Sequence, residues 1–413
     1  MPKSENLSSN FQLPFDLNQF DAHERSAKNL GTFSTTKMDD KAKVIFERFA
    51  PINAVDSVAY PELTQIVQIC GQFLLNIFHA NEKESYSTLP TSGSSEAIFL
   101  TLLFLKHHWL ATHKPTQQRL NVIVGPTSHV SFNVAAKALD IELNVLPFKK
   151  DSYALDPEYI ENIVNDKTIG ICCTLGSTVT LLMDDVQGIN QALSSYYQKT
   201  GIFIPIHVDA ASGGFVAPFY YRDLIWDFRL SHVKSINVSS HKYGLIYPSL
   251  GWLCIVDEYC INELMHENSY LGRTFKRYPL QFSHSASQIA AFCYNVQTLG
   301  FEGYQRIIQQ LFHRSKLLNE GMMSLNQFHI ITPNHLPAIP GTIFSLNDSH
   351  ENHILERLAG YLRERHWHLP TFKSPYLIGE KKCARIVVKQ GLGNELINEF
   401  LNDLSHFFSK KLL

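Results

Sequence analysis

Ser235-Ile-Asn-Val-Ser-Ser-His-Lys-Tyr-Gly-Leu-Ile-Tyr-Pro248 is the stretch around which the rest of the chain is organised. Ile236 and Val238 alternate with small polar residues, the two-residue period of a short buried strand. Ser239, Ser240, His241 and Lys242 follow as a polar cluster, with Gly244 and Pro248 as turn punctuation. A strand that delivers a lysine to the edge of a core is unusual, because lysine is rarely buried without a partner. One use that needs such a lysine is a Schiff base with a carbonyl cofactor. A surface lysine in a loop accounts for this stretch equally well.

At 413 residues the chain has room for two or three domains, or for one large domain with appendages. Apolar residues make up 45% and charged residues 18%, the composition of a soluble globular enzyme and not of a disordered chain. A net charge of -2 gives no reason to expect nucleic acid or an anionic membrane as partner. The seven cysteines are scattered, with only Cys172 and Cys173 adjacent, which is neither a zinc spacing nor a disulfide framework. They read as reduced core cysteines of a cytosolic protein, and no metal centre is expected. The N-terminus lacks the apolar segment of a signal peptide, and the longest apolar run, 97–105, is too short to span a bilayer.

Residues 1–27 are polar and read as an arm. Helical spacing follows over 39–50 and 62–78, the second opening after Pro61, whose missing N–H costs nothing in a first turn. Thr91-Ser-Gly-Ser-Ser-Glu-Ala97 then leads into an apolar helix. Its hydroxyls fit an N-cap, and the same convergence of hydroxyls and free N–H groups binds a phosphate. From residue 120 strands at 122–124, 141–146, 169–174 and 202–208 alternate with helices at 130–139, 157–164 and 186–197. That alternation predicts βαβ units and a mainly parallel sheet, with ligands at the carboxyl ends of its strands. Thr178, Asp209 and Lys242 all fall after such strands. Beyond about residue 285 come helices at 288–299 and 303–324, strands near 328–332, 342–346 and 385–388, a helix at 353–364 and a terminal helix from 393. The expected organisation is therefore an arm (1–27), a large domain (28–311) and a smaller α+β domain (312–413).

His207-Val-Asp-Ala-Ala-Ser-Gly-Gly-Phe215 sets an aspartate at the end of an apolar strand. Alone, Asp209 reads as a cap or a turn residue. Together with the strand-end lysine and the serine-rich loop it fits one ligand, pyridoxal 5'-phosphate (PLP). That cofactor needs a lysine for its aldehyde, an anion site for its phosphate and a carboxylate beside its ring nitrogen. The carboxylate keeps the nitrogen protonated, because an opposite charge favours the charged form.

From Asn29 almost to the C-terminus, the chain resembles the group II PLP-dependent amino-acid decarboxylases, and most of all the bacterial and plant glutamate decarboxylases. The resemblance is carried by the stretch from His207 to Phe219, by Trp226-Asp-Phe-Arg229, by Val233-Lys-Ser-Ile236 and by Ser240-His-Lys-Tyr-Gly244. It implies a type I, aspartate-aminotransferase-like α/β fold and a homodimer or larger homo-oligomer acting on a small amino acid. It also implies roles for residues. Lys242 would hold the cofactor, Asp209 would face the pyridinium nitrogen, and His129 would stack on the ring near Thr178. Ser94, Ser95, Ser239 and His241 would bind the phosphate, with Ser283 donated across a dimer interface. Tyr270, in Ser269-Tyr-Leu-Gly272, matches the tyrosine of a loop that closes over the site.

For the substrate, the resemblance implies that Thr32 and Phe33 bind the distal carboxylate of glutamate. Asn53 and Asp56 would complete that pocket from a partner subunit, and Arg385 would take a carboxylate, the fork geometry that guanidinium favours. Asp56 beside a second anion needs a proton, which favours acidic conditions. Individually, Thr32 also reads as a turn hydroxyl, Asn53 as a cap and Arg385 as a solvated strand charge. The chain departs from its nearest pattern at His129, where glutamate decarboxylases usually carry glutamine and other group II decarboxylases histidine. A decarboxylase acting on aspartate or an aromatic amino acid, and a non-catalytic homologue, are the rival expectations to L-glutamate α-decarboxylation.

Overall fold

The computed structural model describes residues 22–114, 117–147, 154–260, 266–268, 275–277, 280, 283–333, 335–347, 352–373 and 382–409. Seven strands make the large sheet: β1 (Tyr86–Thr91), β2 (Asn121–Val124), β3 (Glu142–Val145), β4 (Thr168–Thr174), β5 (Ile206–Asp209), β6 (Val233–Val238) and β7 (Gly251–Val256). Their order is β1-β7-β6-β5-β4-β2-β3. From β3 through β6 all pairings are parallel, whereas β7 runs antiparallel to both β6 and β1. Every residue of β2, β4, β5 and β7 is buried, as expected for strands covered on both faces.

The antiparallel return from β6 to β7 matters for the site. An antiparallel neighbour needs no helical crossover, and residues 239–250, twelve in all, connect β6 directly to β7 and hold Lys242 just beyond the carboxyl end of β6. The sequence reading missed β1 and β7. Pro90, the penultimate residue of β1, argues against a strand, and it is tolerated because β1 is the sheet's edge.

The helices are α1 (Ala22–Ala27), α2 (Asp40–Arg48), α3 (Glu62–Ile77), α4 (Ser94–Thr112), α5 (Val130–Ala138), α6 (Ile160–Ile163), α7 (Val186–Thr200), α8 (Ala217–Tyr220), α9 (Ser287–Ser324), α10 (Asn352–Arg363) and α11 (Asn394–Ser409). A hairpin of β8 (His266–Asn268) and β9 (Phe275–Arg277) lies between the two main sheets in sequence. The second sheet is antiparallel, β10 (Phe328–Ile330), β11 (Gly341–Leu346), β12 (Thr371–Lys373) and β13 (Lys382–Val387), in the order β10-β11-β13-β12. α9 packs on α2 and α3 and also on β10 and β11, so it links the two layers. The 311/312 boundary expected from the sequence lies inside this helix.

α9 is two helices merged at Gly300, whose φ of 54° and ψ of -162° are not helical, which accounts for the two separate periodic segments read from the sequence. That conformation is essentially restricted to glycine, and a Cβ there would meet nothing within 4 Å. Gly300→Ala should therefore lower stability through backbone strain alone, by about 1–3 kcal/mol. Urea unfolding of the two proteins checks this, and an unchanged midpoint would contradict it.

Candidate active site

Lys242 is gripped through its backbone. Its carbonyl accepts the Thr35 hydroxyl, and the neighbouring His241 carbonyl accepts the Thr35 N–H at 2.7 Å. The His241 ring donates from Nδ1 to the Leu250 carbonyl at 2.8 Å, closing the loop on itself. The segment bearing Thr35 is seated in turn on the small sheet. Val387 N–H donates to Leu30 O at 2.8 Å, Lys389 Nζ to Asn29 O at 2.6 Å and Arg385 Nη2 to Gly31 O at 3.0 Å. The Lys242 ammonium donates to Ser212 Oγ at 3.1 Å and lies 5.4 Å from the centre of the Phe33 ring. Burial holds its pKa below the usual lysine range, with Asp209 opposing that shift and Arg385 adding to it. The result favours a more readily deprotonated amine.

Asp209 closes β5 and is 4% exposed. Its carboxylate accepts from Ala211 N–H at 3.1 Å and from Asn237 Nδ2 at 2.9 Å, both on Oδ1. Behind it, His207 is fully buried, and burial pushes its imidazole down to about 4, against the opposing pulls of Asp209, Asn237 and Ser235.

A cavity of about 380 Å³ opens between these elements and is lined by Ser94, Ser95, His129, Thr178, Asp209, Ser239, His241 and Lys242. These are eight of the residues the sequence reading assigned to one ligand. One end of the cavity is the N-terminus of α4, whose cap residue Gly93 offers no side-chain hydrogen bond. Ser94 Oγ lies 2.7 Å from Ser239 Oγ, which ties this helix to the lysine loop. Close approach is required here: a Cβ on Gly251 would fall 2.8 Å from Gly93 Cα. N–H groups without a side-chain cap and a helix dipole beside two hydroxyls are the donors that an anion site requires. Ser95 instead bonds Ser131 Oγ at 2.7 Å. His129 caps α5 and accepts from Ser131. Desolvation holds its pKa below the ordinary value, Asp209 opposing and Lys242 reinforcing.

Phe33 and Arg385 are brought to the same region, with the guanidinium 4.7 Å from the Phe33 ring centre. Arg385 also donates to the Thr178 carbonyl, and its buried Nε has no hydrogen-bond partner among the described residues. Thr32, Asn53, Asp56 and Ser283 line none of this cavity. Thr32 accepts from Ser34 N–H, Asn53 from Val55 N–H and Asp56 from Ala59 N–H, so each makes the local turn bond that its residue type favours. Asn53 bridges Ser285, which brings its segment beside Ser283. Tyr270 lies outside the described residues. Ser212 and Thr35 are contacts the sequence reading did not assign, although Ser212 stands within the quoted aspartate stretch.

The residues fit PLP: an amine favoured toward neutrality, a buried carboxylate whose Oδ2 takes no hydrogen bond among the described residues, and phosphate-compatible donors at a helix end without a side-chain cap, all on one cavity. Comparison with known proteins agrees. The pyridoxal-dependent decarboxylase conserved domain matches residues 48–346. A glutamate decarboxylase of Solanum lycopersicum is 34% identical over 92% of this chain and 77% of its own. Glutamate decarboxylase beta of Listeria innocua is 34% identical over 92% of this chain and 83% of its own. The solved structure of a Lactobacillus brevis glutamate decarboxylase superposes with a TM-score of 0.88 at 33% identity, covering 94% of this chain and 89% of the other. The fold is accordingly that of the type I PLP-dependent decarboxylases.

His207 and His241, both held at about 4 and both ordinarily near 6.5, carry a pH consequence. Between those values the unfolded chain binds protons that the folded chain excludes, so stability is complete above 6.5 and is lost as the pH falls toward 4. Urea midpoints at pH 6.5 and 4.5 should differ in that direction, with a shallower slope in His207→Gln. A slope unaltered by that substitution would contradict the assignment.

Proposed function

The chain belongs to the pyridoxal-dependent decarboxylase family, and on that footing we propose that it converts L-glutamate to 4-aminobutanoate and carbon dioxide. The observation that carries the reading is the convergence of Lys242, Asp209 and the α4 N-terminus on one cavity, together with about one-third identity to glutamate decarboxylases over most of their length. Lys242 Nζ would hold the cofactor's aldehyde carbon, Asp209 its ring nitrogen, and Ser94, Ser95, Ser239 and His241 its phosphate. His129 and Thr178 would flank the ring. When bound, PLP supplies an electron sink for the pair released from the Cα–carboxylate bond.

The chain's own residues orient and protonate. Arg385 spends two of its five N–H groups on the carbonyls of Gly31 and Thr178, which leaves three without a bond among the described residues, the buried Nε–H included, for a substrate carboxylate. Phe33 packs under both Arg385 and Lys242, shielding the reacting end from water. Lys242 Nζ, or Tyr270 Oη, returns a proton to Cα after carbon dioxide leaves. Thr32 would meet the distal carboxylate. Asn53, Asp56 and Ser283 would serve the site of a neighbouring copy, as the family resemblance implies; the working unit in this reading is a homodimer. A cytoplasmic setting is part of the proposal, supported by seven cysteines outside any disulfide. Among the described residues no helix is long and apolar enough to cross a membrane.

A substrate panel with PLP added tests the assignment. Glutamate should release carbon dioxide with a higher kcat/KM than aspartate, tyrosine or tryptophan, and Lys242→Ala should abolish that release. Preference for aspartate or an aromatic amino acid would transfer the site to another substrate of the same reaction. Absence of PLP uptake would remove the enzyme reading.

A further inference from the structure

Alternation along two neighbouring strands sets a row of buried polar groups behind Asp209. β5 and β6 run in parallel register, with His207 opposite Ser235 and Asp209 opposite Asn237. Successive side chains on a strand point to opposite faces, so all four of these residues share one face. His207, Asn237 and Ser235 are each no more than 1% exposed, and none of them lines the cavity. The contacts cross between strands in sequence. Ser235 Oγ lies 2.8 Å from His207 Nδ1, His207 Nε2 lies 2.7 Å from Asn237 Oδ1, and Asn237 Nδ2 lies 2.9 Å from Asp209 Oδ1.

Chemistry fixes the direction of this row. A carboxylate only accepts, so Asn237 must turn its NH2 toward Asp209 and its carbonyl oxygen toward His207. That oxygen also only accepts, so the imidazole carries its proton on Nε2. In the neutral ring Nδ1 is then an acceptor, and the Ser235 hydroxyl donates to it. Each donor therefore points along the row toward Asp209, and no group in it is left unsatisfied.

We infer that His207 and Asn237 are positioning residues, which fix a donor on one oxygen of Asp209 and so reserve the other for the cofactor's ring nitrogen. The inference rests on the reading that this chain binds PLP through Asp209. Without the Nε2–H, Asn237 Oδ1 becomes a buried acceptor with no donor, and the amide loses what holds its orientation. A flipped amide would present oxygen to the carboxylate and repel it.

The test strips the protein of cofactor and titrates it with pyridoxal phosphate, following the dissociation constant by absorbance and folding by thermal midpoint. His207→Leu should weaken PLP binding about tenfold. His207→Gln, whose amide N–H can meet the same acceptor, should stay within about threefold of the parent. In an Asp209→Ala background, His207→Leu should cost no further affinity, because its effect passes through that carboxylate. A purely structural role predicts the opposite: a lower thermal midpoint with unaltered PLP affinity, or an affinity loss that persists undiminished without Asp209. Either result overturns the inference. Should His207→Leu not fold, Asn237→Asp, nearly isosteric, sets a second carboxylate against Asp209 and must weaken PLP binding; parental affinity there also overturns it. A parent protein that takes up no PLP overturns the cofactor reading itself.

Discussion

The negative charge of Asp209 is the constraint on which the site depends. A buried carboxylate is costly unless it is hydrogen-bonded and paired with positive charge. Here the described hydrogen bonds come from one backbone N–H and one side-chain amide, both neutral. Positive charge must come from within the cavity that Asp209 lines. Asp209 opposes the downward pull of burial on Lys242, His129 and His207 alike. A pyridinium nitrogen is the complement such a carboxylate favours, and it brings with it the electron sink that decarboxylation requires.

The sheet makes this arrangement possible. Parallel strands end their carboxyl edges together, so Asp209 after β5 and the lysine loop after β6 meet without long excursions. The antiparallel β7 then returns the chain, and the connection that carries Lys242 is braced by the His241 ring on the Leu250 carbonyl. Residues 29–35 add a strap from the other side, bonded at one end to β13 and the residues just after it, and at the other to the carbonyls of His241 and Lys242. Small sheet, strap and lysine thus form one connected set of hydrogen bonds, and Phe33 in the strap is placed under both cations.

Much of this was legible in the chain. The strand-helix alternation after residue 120 and the break near Gly300 are local signals, and they survive folding because apolar period and glycine conformation act locally. Within the cavity set, Thr178, Asp209 and Lys242 were legible because strand ends in a parallel sheet share an edge, and the serine loop as a helix start; His129, Ser239 and His241 came with the family resemblance. Other features are tertiary and left no local mark. Pro90 disguises an edge strand, and the Arg385 guanidinium is committed in part to the carbonyls of Gly31 and Thr178, distant in sequence. Asn53 and Asp56 show only their turn bonds. The His207-x-Asp209 and Ser235-x-Asn237 pairs were in view as letters, yet their link appears only once β5 and β6 are known to be neighbours in register.

The central claim is that Lys242 alone carries the cofactor. Borohydride reduction of the PLP-loaded protein, followed by proteolysis and mass spectrometry, reads the attachment point directly. One pyridoxyl group is expected, on the peptide containing Lys242. A label on another lysine, such as the buried Lys389 beside the strap, or no label on any peptide, would contradict it.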